Sequence, residues 1–345
     1  MIHSNYSKPL VSVLVVTYNQ KEYIRQALDS ILMQVCDFDF EVLIGEDCST
    51  DGTRDICIEY AEKYANKIRL FLNPTNKGLL NNYFDLLESA KGNYLADCGA
   101  DDYWLDVNRL QQQVSFLEQH PESGMIAGNW TILEEKTGTL KTATETPQEG
   151  WLNHSQSGIE AIVAYLNTKN KYTILLTASC CRMDWVKAAY QDFPYLFRGE
   201  DATCEDLPIL LSMLHKGPIY LSTKQWAVYR HLENSVSHST STDTWMKGFA
   251  FKTFVQTLNI AATFGVPFPS IGGYIKSRSE EFALYSFLNS DSIFMADLKV
   301  VLRKNHCPIS GKIYLLSKSM NSKRVHHLLK WMYLIIRPNQ RTSKK

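Results

Sequence analysis

The length, composition and charge of the chain exclude several classes of protein. It has 345 residues, 45% of them hydrophobic and 21% charged, which excludes a disordered protein. This length suits one large α/β domain with an appendage. Basic and acidic residues number 36 each, yet the sequence after Asp297 has 12 basic residues and no acidic one. The first 297 residues therefore hold 24 basic against 36 acidic residues, and a basic tail on an acidic body predicts an anionic surface as partner.

Cysteine usage and hydropathy predict a cytoplasmic protein. Most of the eight cysteines lie inside apolar segments, without the paired spacing of zinc sites, and we interpret them as reduced core residues. The stretch from Met1 to Pro9 is polar, so we expect no signal peptide. No apolar run reaches the roughly 18 residues of a membrane-spanning helix, so we expect none.

Strand and helix patterns alternate through about the first hundred residues. Four apolar runs predict buried strands, namely Leu10 to Thr17, Phe40 to Gly45, Ile68 to Leu72 and Gly92 to Cys98. Segments with helical spacing follow these strands, and Asn19 is expected to cap the first helix with Glu22 as its capping-box partner. The alternation predicts a parallel sheet with helices on both faces.

Two adjacent carboxylates, Asp101 and Asp102, stand in the sequence GADDYW where the fourth predicted strand ends. In an open α/β sheet, ligands bind outside the carboxyl ends of the strands, and hard oxygen ligands suit Mg²⁺ or Mn²⁺ carrying a diphosphate. A solvated turn before the helix predicted from Asp106 to His120 is the alternative. The stretch TYNQKEY after the first strand lacks the GxGxxG turn of dinucleotide-binding domains. This disfavours the hypothesis that the chain is an oxidoreductase.

Four blocks resemble the nucleotide-binding half of family 2 glycosyltransferases, namely VSVLVVTYNQ, EDCSTDGT, NKGLLNNY and GNYLADCGADDYW. The resemblance covers about residues 1–130, and a block near Glu205 extends it to about residue 240. It implies an α/β GT-A fold, a Rossmann-like mixed sheet flanked by helices, with a catalytic domain over 1–240 and a helical appendage over 241–345. Residues 1–130 would bind the nucleotide sugar and 131–240 the acceptor. A UDP-sugar donor, Mg²⁺ or Mn²⁺, and inversion at the sugar carbon are also implied.

The resemblance assigns the donor contacts to the loops that follow the first three strands. Thr17 and Asn19 would contact the nucleoside, and Asp47 would accept a hydrogen bond from a base imide N–H such as that of uracil. Glu46 would support Asp47 or contact the ribose. Lys77 would meet phosphate or remain a solvated surface charge.

Two positions depart from the usual motifs of the family. Cys48 replaces the glycine of the DDGS motif, which makes the conformation of that turn less certain. Gly99 stands where the first aspartate of the DxDD motif is frequent, and Asp101 and Asp102 fill the later positions. By the resemblance, Asp101 would touch the ribose or the metal, and Asp102 would be the main metal ligand.

The segment CEDLPILLSMLHKG is similar to the block in which the family carries its catalytic base. We predict Asp206 as the base, Glu205 as its neighbour and Asp201 as the alternative base. A sugar hydroxyl is a poor nucleophile near neutral pH, so a carboxylate must take its proton during attack. A charge that stabilises a helix N-terminus is the structural alternative for Asp206.

The sequence Tyr229-Arg230-His231 resembles the YRxH region of the family. His231 would bind the metal or the phosphates, and Arg230 would bind the same phosphates. A surface histidine is the alternative.

Beyond about residue 240 the pattern becomes helical. A late stripe of apolar residues, flanked by basic ones, either lies in a membrane interface or packs on protein. The stripe comprises Val325, Leu328, Leu329, Met332, Ile335 and Ile336, and its basic flanks are Lys323, Arg324, Lys330 and Arg337. The first alternative predicts peripheral attachment to the inner face of the cytoplasmic membrane, and the second predicts a contact with the catalytic domain or a second subunit.

We conclude from the sequence that the chain transfers one sugar to a cell-surface polysaccharide or lipid-linked glycan. The absence of membrane spans, and of the QxxRW block of processive synthases, favours single addition. The predicted partners are a nucleotide-sugar donor, a glycan acceptor and an anionic membrane surface, but no nucleic acid. The alternatives are a nucleotide-sugar-binding protein without activity, and a nucleotidyltransferase, which would be expected to have a glycine-rich basic loop after the first strand.

Overall fold

The computed structural model describes residues 8–142, 149–152, 158–168, 174–232, 234–235, 238–239 and 241–336. The chain divides into two compact units, residues 1–232 and 233–345. Predictions that involve Arg337, or the side chains of Ile335 and Ile336, lie outside the described residues.

The first unit alternates strands and helices. Its strands are β1 (Val11–Thr17), β2 (Phe40–Glu46), β3 (Ile68–Leu72), β4 (Tyr94–Asp97), β5 (Tyr103–Trp104), β6 (Met125–Glu134), β7 (Thr139–Thr142), β8 (Gly150–Trp151), β9 (Ser179–Arg182) and β10 (Ile219–His231). Its helices are α1 (Ile24–Leu32), α2 (Thr53–Lys63), α3 (Leu79–Ser89), α4 (Arg109–Gln119), α5 (Gly158–Thr168), α6 (Met183–Asp192), α7 (Pro194–Arg198) and α8 (Asp206–Lys216), and Leu176–Ala178 forms a 3₁₀ turn.

Ten described strands form one mixed sheet. Its order is β3-β2-β1-β4-β9-β6-β10-β5, with β7 beside β6 and β8 beside β10. The pairs among β3, β2, β1 and β4 are parallel, whereas β9 runs antiparallel to both β4 and β6. The fold is therefore the mixed α/β arrangement that the resemblance implied, with β9 separating the parallel half from the other strands.

The core of this unit lies around β1, β2 and β4 of the parallel half, which are buried on both faces, whereas the edge strand β3 is only partly buried. Every residue of β2 is buried, as are six of the seven in β1. Helix α1 packs on this core through Ile24, Ala27, Leu28 and Ile31, which recur at helical spacing. With the strands fixed in this way, the loops at their carboxyl ends lie side by side at one edge of the sheet.

The second unit is helical, apart from a short hairpin of β11 (Asn234–Ser235) and β12 (His238–Ser239). It contains a π-helical turn (Thr244–Ala250), α9 (Phe251–Thr263), a 3₁₀ turn (Phe268–Ile271), α10 (Gly272–Asn289), α11 (Ser292–Lys304), α12 (Gly311–Met320) and α13 (Lys323–Ile336). Its core includes an aromatic cluster of Phe251, Phe254, Phe282 and Phe294.

No helix among the described residues combines the length and the apolarity that crossing a membrane requires. All eight cysteines are described, and all are free thiols. Five of them are buried, in keeping with their position in apolar segments.

Candidate active site

A pocket of about 140 Å³ lies at the carboxyl ends of β1 and β4. Leu14 and Val16 of β1 form part of its apolar wall. Four carboxylate residues also line it, namely Asp97, Asp102, Glu205 and Asp206. The predicted metal ligand and the predicted base come from segments about a hundred residues apart, and the fold brings them into one pocket.

Asp101 and Asp102 lie in a tight turn that is anchored to β10. The backbone N–H of Asp102 donates to the carbonyl of Gly99 at 3.0 Å. The backbone N–H of Arg230 donates to Asp102 Oδ1 at 2.9 Å, and Arg230 Nε donates to the carbonyl of Asp101 at 2.8 Å. A Cβ atom at Gly99 would lie 3.0 Å from Asp101 Oδ1 and 3.3 Å from Asp102 Oδ2. An aspartate at position 99 would therefore crowd the two carboxylates that follow it.

Arg230 is buried, and its guanidinium is engaged within the protein. Its Nη2 donates to Gln26 Oε1 at 2.7 Å, its Nη1 pairs with Glu135, and its guanidinium carbon lies 4.7 Å from the ring centre of Tyr23. His231 Nδ1 lies 2.9 Å from a carboxylate oxygen of Glu134. A contact between either residue and donor phosphate, or between His231 and the metal, remains a prediction.

Glu205 and Asp206 stand at the first turn of α8. Glu205 occupies the N-cap position but its side chain makes no capping bond, and its Oε2 atom is buried without a hydrogen-bond partner. Burial raises the pKa of Glu205. Burial and the charge of Glu205 together hold the pKa of Asp206 well above its usual range. Asp201, the alternative base, is exposed and is not among the residues that line the pocket.

Asp97 is a pocket residue that the sequence analysis missed. Burial, reinforced by the charge of Glu205, raises the pKa of Asp97 to about 7. The buried ring of Tyr83 also lines the pocket, and burial and the charge of Asp97 raise the pKa of its hydroxyl. The sequence feature that could have identified Asp97 is an acidic residue within a run that otherwise has the apolar pattern of a buried strand.

The residues at this site fit a divalent cation that takes oxygen ligands. Burial, together with the charge of Asp101, holds the pKa of Asp102 well above its usual range, and burial raises that of Asp101. A cation beside these carboxylates would offset both effects. Across the described part of the chain, no group of three or more His, Cys, Asp or Glu side chains is arranged to hold a metal ion. Mg²⁺ in nucleotide sites is commonly held by one or two protein carboxylates, which Asp102 and Asp101 would supply here, with substrate oxygens and water as the other ligands.

Asp47 organises the loop that follows β3. Its Oδ1 accepts hydrogen bonds from the backbone N–H of Lys77 and from Asn73 Nδ2, both at 2.9 Å. Its Oδ2 accepts one from the backbone N–H of Gly78 at 2.9 Å. A carboxylate has about four acceptor positions, so a contact with a base N–H remains compatible with these three bonds. The ammonium of Lys77 pairs with Asp85 at 2.8 Å.

Glu46 supports the neighbouring turn from inside the protein. Its side chain is buried, accepts a hydrogen bond from the backbone N–H of Ser49 at 2.6 Å, and pairs with Arg54 Nε at 2.5 Å. Cys48 adopts a φ of 67°, in the left-handed region where the usual glycine has no steric cost. Both roles predicted for Glu46, support of Asp47 and contact with the ribose, remain predictions.

Asn19 does not cap α1, so this prediction was wrong. The residue has a φ of 53°, its Oδ1 accepts from the backbone N–H of Thr50 at 2.9 Å, and its own N–H donates to Ser49 Oγ at 2.9 Å. Tyr23 occupies the N-cap position without a side-chain bond. The carbonyl of Thr17 accepts from the backbone N–H of Asp47 at 3.0 Å. These bonds join the predicted nucleoside contacts at the ends of β1 and β2.

The fold is the mixed α/β arrangement of GT-A glycosyltransferases. Residues 12–179 match the family model described as Glycosyl transferase family 2. This match covers just under half of the chain, and over this segment the chain is similar to family 2 glycosyltransferases.

The chain is similar to several bacterial proteins. It is 32% identical over 235 residues to uncharacterized proteins of Mycobacterium bovis and Mycobacterium tuberculosis, covering 68% of this chain and 62% of theirs. The chain thus spans under two thirds of the length of these relatives. It is 29% identical over 231 residues to TuaG of Bacillus subtilis, a putative teichuronic acid biosynthesis glycosyltransferase, covering 67% of this chain and 82% of TuaG.

A solved structure supports the fold over most of the chain. The crystal structure of residues 1–349 of S. aureus TarS in complex with UDP-GlcNAc matches with a TM-score of 0.53 and 17% sequence identity. The match covers 90% of this chain and 91% of that one. At this identity the likeness concerns the fold alone.

Proposed function

We propose that this protein is an inverting, metal-assisted glycosyltransferase that moves one sugar from a UDP-sugar to a hydroxyl of a cell-surface polysaccharide or lipid-linked glycan. The observation that carries the proposal is the common pocket of Asp102 and Asp206. The UDP-GlcNAc bound to TarS supports the donor class, and the name of TuaG supports the acceptor class.

In the proposed reaction, Asp206 is the general base. An acceptor hydroxyl attacks the anomeric carbon, its proton passes to a carboxylate oxygen of Asp206, and the bond to the diphosphate oxygen breaks on the opposite face. Glu205 assists because its charge raises the pKa of Asp206 and so increases its affinity for the proton. Mg²⁺ or Mn²⁺, held by Asp102 with Asp101 beside it, would neutralise the charge that grows on the leaving diphosphate.

The donor nucleoside is proposed to lie on the loops after β1 and β2. Asp47 would accept the imide N–H of uracil through its remaining acceptor position, and Thr17 and Asn19 would border the base. The backbone N–H of Lys77, on the loop after β3, donates to Asp47 and helps to fix its orientation.

Transfer assays with a panel of UDP-, GDP- and dTDP-sugars, with Mg²⁺ or Mn²⁺, test the proposal. We expect one nucleotide sugar to be used. Asp206→Asn should bind this donor as the wild type does and lose transfer by roughly 10²- to 10⁴-fold, the usual contribution of a general base. Asp102→Ala should lose the metal-dependent activity, and Asp201→Asn tests the alternative base.

Two results would contradict the proposed roles. Unchanged transfer by Asp206→Asn would place the base elsewhere. Binding of a nucleotide sugar by the wild type, without transfer to any acceptor, would favour the alternative of a binding protein.

A further inference from the structure

Helix α13 packs on the other helices of the second unit through a partly polar face. His326 is buried, its Nε2 lies 3.0 Å from Ser290 Oγ, and its ring centre lies 4.6 Å from that of Phe287. Lys330 and Tyr333 are half-buried. These three positions recur at helical spacing, so they define the side of α13 that contacts the rest of the unit.

The apolar side of α13 is exposed. We call the residues Val325, Leu328, Leu329, Trp331 and Met332 the α13 stripe, and their exposed fractions lie between 40% and 60%. Four of them follow the i, i+3, i+4, i+7 spacing of a continuous helical face. An amphipathic helix of a globular protein normally turns such a face toward the core. This helix presents it to the outside, so the stripe is a candidate docking surface.

The charge around the α13 stripe favours an anionic partner. Lys323 and Arg324 are exposed on the first turn of the same helix. The sequence from residue 298 to residue 345 has 12 basic residues and no acidic one. A second copy of this chain, docked stripe to stripe, would bring two such basic segments together with no acidic residue of either segment to offset them. A negatively charged surface meets no such repulsion.

The dimensions of α13 fit a position in the membrane surface. Its 14 residues span about 21 Å, which is shorter than the roughly 30 Å hydrocarbon core of a bilayer. Exposed tryptophan side chains such as that of Trp331 are favoured at the membrane–water interface. We propose that the α13 stripe binds the interface of an anionic lipid bilayer, with the helix lying in its plane.

Vesicle flotation with the full chain tests this proposal. The vesicles contain phosphatidylcholine alone, or phosphatidylcholine mixed with phosphatidylglycerol. We expect binding to the mixed vesicles only, reduced at least tenfold by Leu328→Glu with Met332→Glu. Lys323→Gln with Arg324→Gln should weaken binding about fivefold for each charge removed. The matched control, Leu105→Glu with Leu140→Glu, alters two exposed leucines of the first unit and should bind like the wild type.

Three outcomes would overturn the proposal. The first is that the wild type binds both kinds of vesicle equally, or binds neither kind. The second is wild-type binding by the Leu328→Glu, Met332→Glu variant. The third is a dimer in sedimentation that this variant converts to monomer, which would identify a second copy as the occupant. Circular dichroism checks that the variants fold, and the measurement needs no sugar transfer, so it stands apart from the proposed enzymatic activity.

Discussion

Asp97→Asn should make the protein more stable at alkaline pH. The substitution keeps the shape of the side chain and removes one of the negative charges around the pocket. Asp97 carries a pKa of about 7 in the folded protein, because burial and the charge of Glu205 oppose its ionisation. In the unfolded chain the same carboxyl group has a pKa of about 4.

The sign and size of the effect follow from this difference in pKa. Below about pH 4 the carboxyl group is protonated in both states and does not affect stability. Between about pH 4 and 7 the unfolded chain releases the proton first, so rising pH favours unfolding. Above pH 7 the wild type has lost the full difference, about 4 kcal/mol for three pKa units. For a unit of this size that corresponds to a change in Tm on the order of 10 °C, and the Asp97→Asn variant does not undergo this loss.

Thermal unfolding from pH 5 to pH 8 tests this prediction. The Tm advantage of Asp97→Asn should grow as pH rises. Asp85→Asn is the matched control of opposite sign, because Lys77 and Arg198 hold the pKa of Asp85 below its usual value despite its partial burial. That control should lower the Tm at pH 8. A constant difference in Tm between wild type and Asp97→Asn across this range would refute the reasoning.

Two further substitutions test the framework of the site. Arg230→Lys should weaken binding of UDP with Mn²⁺ at least tenfold in calorimetry, because an ammonium cannot reproduce the separate hydrogen bonds of the guanidinium to the Asp101 carbonyl, Gln26 and Glu135. Unchanged affinity would show that the Asp101–Asp102 turn does not depend on Arg230. Gly128→Ala should cost about 1–3 kcal/mol in denaturant unfolding, since its Cβ would lie 2.1 Å from Trp226. Gly272→Ala, which meets nothing within 4 Å, should stay within about 0.5 kcal/mol of the wild type, and equal losses would contradict the packing argument.

The parallel half of the sheet could be predicted from the sequence because its signals are local. Strands β1 and β2 are short apolar runs buried on both faces, and each is followed by a turn and a helix. The antiparallel part could not be predicted in this way. Leu176–Ala178 is a 3₁₀ turn, and β9 follows it directly. Strand β9 is short, and pairing with β4 and β6 fixes it, which no local pattern reveals.

Long-range hydrogen bonds explain most of what the sequence did not indicate at the site. Asparagine is a common helix-capping residue, but the side chain of Asn19 instead accepts a hydrogen bond from the backbone N–H of Thr50, 31 residues away. Arg230 lies in a motif associated with phosphate, yet its acceptors within the protein are the carboxylate of Glu135, the carbonyl of Asp101 and the side chain of Gln26. In both cases residue type predicted a polar contact correctly and could not identify the partner.

Repulsion among the carboxylates at the pocket makes folding less favourable and donor binding more favourable. Asp97, Asp102, Glu205 and Asp206 line a pocket of about 140 Å³, where burial and neighbouring charges raise their pKa values by opposing ionisation. A cation bound with a nucleoside diphosphate would relieve that repulsion. Binding should therefore raise the Tm by more than it would for a pocket without these charges. Removing Asp97 also removes part of the repulsion. The rise in Tm on adding UDP and Mn²⁺ at pH 8 should therefore be smaller in Asp97→Asn than in the wild type, although the variant starts from the higher Tm.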